Sequence, residues 1–231
     1  MSNPEFEDYN TTSNTYDTVR LPIGQDSLMQ AFETAAKNLG KEVKDLELLD
    51  VGCGTGNYID SFREKIARCD GLEYNDGMLK QCRKKLGNAP NVTLRQGTAL
   101  NLDEFKDASY DVVIMTQVMH HLDPDTHQTA YNNMSRVLRK GGVFWFQCCT
   151  PQQQTEGFWW ASIIPQGAAL SSSKFTGIPL LEYQFTAAGL ENFKVDIPEE
   201  PLMAIEDYKN INGPLELVYR NGDSTWALAR P

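Results

Sequence analysis

The stretch Leu46-Glu47-Leu48-Leu49-Asp50-Val51-Gly52-Cys53-Gly54-Thr55-Gly56 decides the reading of this chain. Its first half is a short apolar run, as expected of a buried strand. Its second half places three glycines at alternate positions. Glycine tolerates positive φ and lets backbone or ligand approach closely. From about Gly56 a helical pattern begins, with Ile59, Phe62 and Ile66 on one face. A strand running through glycines into a helix offers backbone N–H groups to a ligand. The spacing G-x-G-x-G differs from the dinucleotide fingerprint G-x-G-x-x-G, whose third glycine falls here on Asn57. A P-loop would need Gly-Lys-Ser/Thr, which does not follow.

Strand and helix patterns alternate outward from this turn. Upstream, Asp26 is the expected cap of a helix carrying Leu28, Phe32, Ala35 and Leu39, stopped by Gly40. Downstream, Arg68 to Tyr74 reads as a strand, and Asn75 or Asp76 caps a helix with Leu79, Cys82 and Leu86, closed by Gly87. Val92 to Gln96 and Tyr110 to Thr116 read as strands. The second is apolar almost throughout, as suits a strand buried on both faces of a parallel sheet. Asp125 to Arg139 is an expected helix with Tyr131, Met134 and Leu138 inward, stopped by Gly141-Gly142, and Val143 to Cys148 is a fifth strand. Leu180 to Ala188 is a helix ended by Gly189, and Phe193 to Ile197 and Ser224 to Ala229 read as two more strands. The alternation predicts an α/β, doubly wound, Rossmann-like sheet in one domain over residues 1–231. Residues 1–15 are polar and expected to be mobile.

Bulk properties narrow the function. The chain has 231 residues, 41% hydrophobic and 23% charged, enough for a sizeable core. A net charge of -10 argues against a nucleic-acid partner, since phosphate contact needs clustered cations. The basic groups Arg83-Lys84-Lys85 and Arg136 to Lys140 read as solvated helix ends. Five cysteines, Cys53, Cys69, Cys82, Cys148 and Cys149, make neither a disulfide framework nor a zinc pattern. With no apolar leader and no spanning run, a soluble cytoplasmic protein is expected, with no membrane partner.

Asp50 to Gly56 resembles motif I, D-x-G-x-G-x-G, of the class I S-adenosylmethionine (SAM) dependent methyltransferases. Further positions follow in order. Glu73, in Gly71-Leu72-Glu73, is similar to the acidic residue that binds the ribose hydroxyls. Gln96-Gly97-Thr98-Ala99 resembles the segment bordering the adenine, with Thr98 where many relatives have Asp. Tyr110 to Gln117 resembles the fourth strand and its end, and Arg139 to Gly142 the turn before the fifth. The likeness covers roughly residues 16 to 149. It implies seven strands, mostly parallel with an antiparallel last strand, and SAM as cofactor, leaving as S-adenosylhomocysteine. The implied cofactor residues are Tyr16, Arg20, Asp50, Gly52, Cys53, Gly54, Gly56, Glu73, Tyr74, Met78, Gly97, Thr98, Ala99, Thr116 and Gln117.

The acceptor side is sketched more lightly. His120-His121-Leu122 resembles a segment common in the family, and a histidine titrates where a base at neutral pH is useful. Orienting the next helix is the other role open to it. His127 reads as surface. Residues 151–190 fall where the family shapes its substrate site. Phe158, Trp159, Trp160, Tyr183 and Tyr208 are candidates to hold an apolar or cationic acceptor. The expected activity is methyl transfer to N, O or S of a small molecule. A non-catalytic SAM-binding scaffold and a protein or RNA methyltransferase are the alternatives.

Overall fold

In the computed structural model, residues 22–157 and 165–196 are described throughout, together with Tyr9, Ser13, Asn14, residues 16–19 and Ala161. Five strands form one sheet: β1 (Glu47–Val51), β2 (Arg68–Glu73), β3 (Val92–Gln96), β4 (Tyr110–Thr116) and β5 (Leu138–Gln147). Their order is β3-β2-β1-β4-β5, and every pairing is parallel. The helices are α1 (Gln25–Leu39), α2 (Asn57–Phe62), α3 (Asp76–Leu86), α4 (His127–Val137), α5 (Pro165–Ser172) and α6 (Ile178–Ala187). The order runs outward from β1 in both directions, so a crevice opens between β1 and β4 at the carboxyl ends of the strands.

Side-chain alternation along the strands divides the core in two. Leu48, Val112 and Ile114 pack with Leu28, Phe32, Ile59, Phe62 and Cys82 on one face. Leu49, Val51, Val113 and Met115 pack with Tyr131, Met134, Leu181 and Phe185 on the other. Five consecutive buried residues, Val112 to Met115 with Asp111 before them, confirm that β4 is covered on both sides.

Several local readings change. Gly24, not Asp26, caps α1; it is left-handed (φ 75°) and its carbonyl accepts from Leu28 N. Asp26 lies in the first turn, where its charge favours the positive end of the helix dipole. Gly40 ends α1 in the left-handed conformation as expected (φ 64°). Helix α4 stops at Val137, and β5 begins at Leu138, so Gly141-Gly142 lies inside a strand. There the pairing jumps from Tyr110–Leu138 to Val112–Val143, which is a bulge. A side chain at Gly142 would meet Asp111 O at 2.6 Å. The bulge lets Arg139 reach the buried Asp111 carboxylate at 2.7 Å, where Lys41 also binds at 2.8 Å. His127 is not at the surface: it is 2% exposed, with Nε2 3.2 Å from Leu122 O.

Residues 193–196 carry no regular structure, and Ser224 to Ala229 lies outside the described residues. From the stretch expected to be mobile, Tyr9, Ser13 and Asn14 are described, and Ser13 N donates to Tyr9 O at 2.9 Å. Among the described residues no helix is long and apolar enough to cross a membrane.

Candidate functional site

The glycine turn follows β1 at the crevice. Gly52, Gly54 and Gly56 all have positive φ (79°, 55° and 84°), a conformation L side chains rarely adopt. Their reasons differ. A Cβ on Gly52 would stand 2.2 Å from Val118 Cγ2, beyond the end of β4. One on Gly56 would meet Leu86 Cδ1 at 2.6 Å and Cys82 Sγ at 2.7 Å, both on α3. On Gly54 it would only touch the flexible end of Met78, at 3.3 Å. Two of the glycines thus admit neighbouring protein, whereas among the described residues a side chain at Gly54 would meet Met78 alone.

The backbone N–H groups of the turn also differ from expectation. Gly52 N and Cys53 N both donate to Leu72 O (2.7 and 3.0 Å), and Gly56 N donates to Cys53 O (2.8 Å). Gly54 N donates to Glu73 Oε2 at 2.8 Å, and Asn75 N to Oε1 at 2.7 Å. These donors are spent on shaping the turn and aiming Glu73. Burial pushes the Glu73 carboxyl up, with the three backbone hydrogen bonds from Asn75, Gly54 and Tyr74 working against it.

Asp50 is the opposite case. It is 1% exposed, and neither carboxyl oxygen has a hydrogen-bond partner among the described residues. Burial, and then the charge of Glu73, raise its pKa to about 8. Ionised carboxylates are costly to bury without a partner, and this one has a like charge beside it. A cation placed at the end of β1 would relieve both.

Next to this pair lies an open cleft lined by Tyr74, Asn75, Asp76, Gln96, Gly97 and Thr98. Asn75 caps α3 by accepting from Met78 N at 2.9 Å, and this holds the cleft wall. Tyr74 is 76% exposed over it. Gly97 N donates to Glu73 O at 3.0 Å, and Thr98 Oγ1 accepts from Leu100 N at 3.3 Å. Ala99 and Cys53 are buried in the core, so they can offer a ligand little but backbone.

Across the crevice, β4 ends at Thr116, and Gln117 is left-handed (φ 54°), an uncommon state for a side chain of this size. The 3-10 turn Met119–His121 follows. The His120 and His121 rings lie 4.0 Å apart, and His120 faces Phe175 at 5.0 Å. Tyr9 Oη is 3.2 Å from His121 Nε2, with the rings edge to face at 5.5 Å. Burial, and then the charge of Lys174, lower the His121 pKa to about 4, so the ring is neutral at physiological pH.

The structure therefore brings together Asp50, the three glycines, Glu73, Tyr74, Met78, Gly97 and Thr98 on one side, with Thr116, Gln117, His120 and His121 across the crevice. Tyr16 joins them through an edge contact to Tyr9, with ring centroids 6.1 Å apart. Tyr183 stands apart, 70% exposed on α6. Arg20, Phe158, Trp159, Trp160 and Tyr208 lie outside the described residues. Tyr9, Asp17 and Phe175 escaped the sequence reading. Only Asp17 carried a visible signal, as an acid directly beside Tyr16.

Residues 49–146 match the family described as a methyltransferase domain. The chain is 27% identical to the dTDP-3-amino-3,4,6-trideoxy-alpha-D-glucopyranose N,N-dimethyltransferase of Streptomyces venezuelae, over 66% of this chain and 63% of that protein. It is 28% identical to the demethylmenaquinone methyltransferase of Staphylococcus aureus, over 58% of this chain and 56% of that protein. The chain thus spans less than two thirds of these curated relatives. Among solved structures, a proposed methyltransferase of an antibiotic biosynthesis pathway in Anabaena variabilis shares the fold, with a TM-score of 0.67 and 19% identity over 92% of this chain and 81% of that one.

Proposed function

We propose that this chain is a class I SAM-dependent methyltransferase that transfers the methyl group of SAM to a nitrogen, oxygen or sulfur atom of a small molecule, a reading supported by the methyltransferase-domain match over residues 49–146. The observation that carries this reading is the buried Asp50 carboxyl, which has no hydrogen-bond partner among the described residues, set beside Glu73 at the end of β1. SAM is cationic at its α-ammonium and its sulfonium and carries a vicinal diol, so it suits one carboxylate that lacks a counter-charge and another already aimed at the crevice. When bound, SAM supplies the electrophilic methyl group, and the reaction is an in-line displacement that depends on alignment.

The residues of the chain divide that work. Asp50 holds the cationic end. Glu73 accepts from the ribose hydroxyls, giving up its bond from Gly54 N to do so. Tyr74, Gly97 and Thr98 form the adenine side of the cleft, with backbone taking the place of the carboxylate that Thr98 lacks. Gly54 allows close approach, and Met78, Thr116, Gln117 and Tyr16 line the remaining walls. Arg20 is assigned to the cofactor carboxylate, whose geometry suits a guanidinium. His121 and the Tyr9 hydroxyl share one hydrogen bond, and this neutral pair orients the acceptor and relays its proton onward to solvent, since burial and Lys174 disfavour a charged His121 ring. His120 holds His121 in place through ring contact. Phe158, Trp159, Trp160, Tyr183 and Tyr208, with residues 151–190, shape the acceptor site.

A small acceptor is favoured by the net charge of -10 and by relatives whose names specify an amino sugar and a menaquinone precursor. On this reading the chain is one domain. The test is incubation with methyl-labelled SAM and an extract of the source organism. Label in a small-molecule peak supports the reading and identifies the acceptor. Label in protein or RNA overturns the small-molecule assignment, and SAM binding with no label in any fraction favours a non-catalytic role.

A further inference from the structure

The two sides of the crevice differ in charge. On the side of β1 and β2 stand the carboxyl groups of Asp50 and Glu73, and Asp17 accepts from Thr55 Oγ1 in the glycine turn at 2.5 Å. On the β4 side, the 3-10 turn Met119–His121 is met by residues 173–177, which join α5 to α6. This joining turn is braced from several directions. Just before it, Ser171 Oγ donates to Gln154 Oε1 at 2.7 Å, both residues being buried, and Ser172 Oγ donates to Pro151 O at 3.2 Å. Within it, Lys174 N donates to Ser171 O at 3.0 Å and Phe175 N to Ser172 O at 3.2 Å. Thr176 Oγ1 lies 3.5 Å from Nδ1 of the buried His127. The bracing sets the Phe175 ring 5.0 Å from His120, whose ring is 4.0 Å from that of His121. Lys174, half-buried beside Phe175, thus brings a cation to the histidine cluster, and its charge disfavours protonation of His121.

We propose that Lys174 is a specificity-determining residue of the acceptor site: its ammonium binds an anionic group of the acceptor, a carboxylate or a phosphate, and so holds the atom to be methylated against the Tyr9–His121 pair. This rests on the reading of the crevice as the site of methyl transfer. The cofactor side presents carboxyl groups and suits a cation. The facing cluster presents two imidazoles, the Tyr9 phenol and an ammonium, and suits an anion. An ammonium has three N–H donors on a flexible stem, so it can bind an oxyanion alongside any other partner. Partial burial strengthens such a pair relative to one at the open surface. An anion bound there also offsets the repulsion between the ammonium and a protonated His121, so the ring senses its arrival.

The experiment titrates the full chain at neutral pH, with and without S-adenosylhomocysteine, using inorganic phosphate, acetate, or chloride at matched ionic strength. The His121 ring is followed by nuclear magnetic resonance. The expected result is a saturating shift of the His121 signals with phosphate or acetate and none with chloride. Whichever of the two binds more tightly names the group that the acceptor carries. In Lys174→Gln the affinity for that anion should fall about tenfold, the order expected for losing a hydrogen bond between charged groups. Lys174→Arg keeps the charge and should retain most of the affinity. A merely structural role would lower the unfolding midpoint of Lys174→Gln and leave its anion affinity unchanged, and that result overturns the proposal. Absence of a saturating shift, or a chloride response equal to the other two, also overturns it, and the unaltered chain alone reads this should Lys174→Gln not fold. Failure of the unaltered chain to bind S-adenosylhomocysteine in calorimetry instead overturns the reading of the crevice beneath it.

Discussion

Val118 occupies the space that a side chain at Gly52 would need: a Cβ there would stand 2.2 Å from Val118 Cγ2. The first glycine of the turn is therefore required by the loop after β4, which it allows to close against β1. Gly52→Ala should destabilise the fold by about 2–4 kcal/mol, adding the cost of a left-handed alanine to that of overpacking. Gly52→Ala with Val118→Ala should recover the overpacking part and keep the backbone part. Urea unfolding of the three variants checks this, and a double variant no more stable than Gly52→Ala would show that the contact is not the cause.

Gly54 should separate folding from binding. Its neighbour is only the mobile end of Met78, so the fold has little to lose beyond the strain of positive φ, about 1–2 kcal/mol. Gly54→Arg is expected to abolish SAM binding while leaving a folded chain by circular dichroism. Retained affinity by calorimetry would place the cofactor elsewhere.

Asp50 should make binding release a proton. With a pKa of about 8, raised by burial and by Glu73, the group is mostly protonated at pH 7. A cationic ligand favours the ionised form and pulls the pKa down, so a proton leaves as SAM binds. Calorimetry at pH 7 in buffers of different ionisation enthalpy should show release approaching one proton per site, and Asp50→Asn should show none from this source. The same shift sets a stability trend without ligand. The unfolded carboxyl ionises near its ordinary value of 3.8 and the folded one near 8, so the contribution of Asp50 falls as pH rises between them.

His121 runs the other way. Its folded pKa of about 4 lies below the ordinary value of 6.5, because burial and Lys174 disfavour the charge. Between these values the unfolded chain holds a proton that the folded chain does not, so stability falls as pH drops from 6.5 towards 4. His121→Phe should flatten that part of the profile. In turnover, Tyr9→Phe should lower kcat with little change in the KM for SAM if the Tyr9–His121 pair handles the acceptor proton, with loss on the order of 10²-fold for His121→Gln. Equal effects on both constants would assign the pair to binding.

Much of this was legible because it is local. The bounds of β3 and β4, the Asn75 cap and the left-handed Gly40 each follow from a handful of adjacent residues whose backbone preferences agree. Where neighbours matter more than propensity, the reading slipped. Gly141-Gly142 has the composition of a helix stop, yet serves a bulge that feeds Arg139 to the buried Asp111. His127 has the polarity of a surface residue, yet Leu122 O and the core around Tyr131 take it in.

The sequence by itself determined the order of the elements, the parallel sheet they imply and the place where β1 turns through its glycines into α2, since those depend on spacing along the chain. Only the tertiary structure decided what each glycine is for, that the N–H groups of the turn are spent on Leu72 and Glu73, that Asp50 is buried with no hydrogen-bond partner among the described residues, and that Asp17 and Tyr9 reach the crevice from opposite sides. These depend on approaches between residues from 19 to 112 positions apart. No local propensity encodes such distances. They are set by how the strands stack and which ends of the sheet face one another.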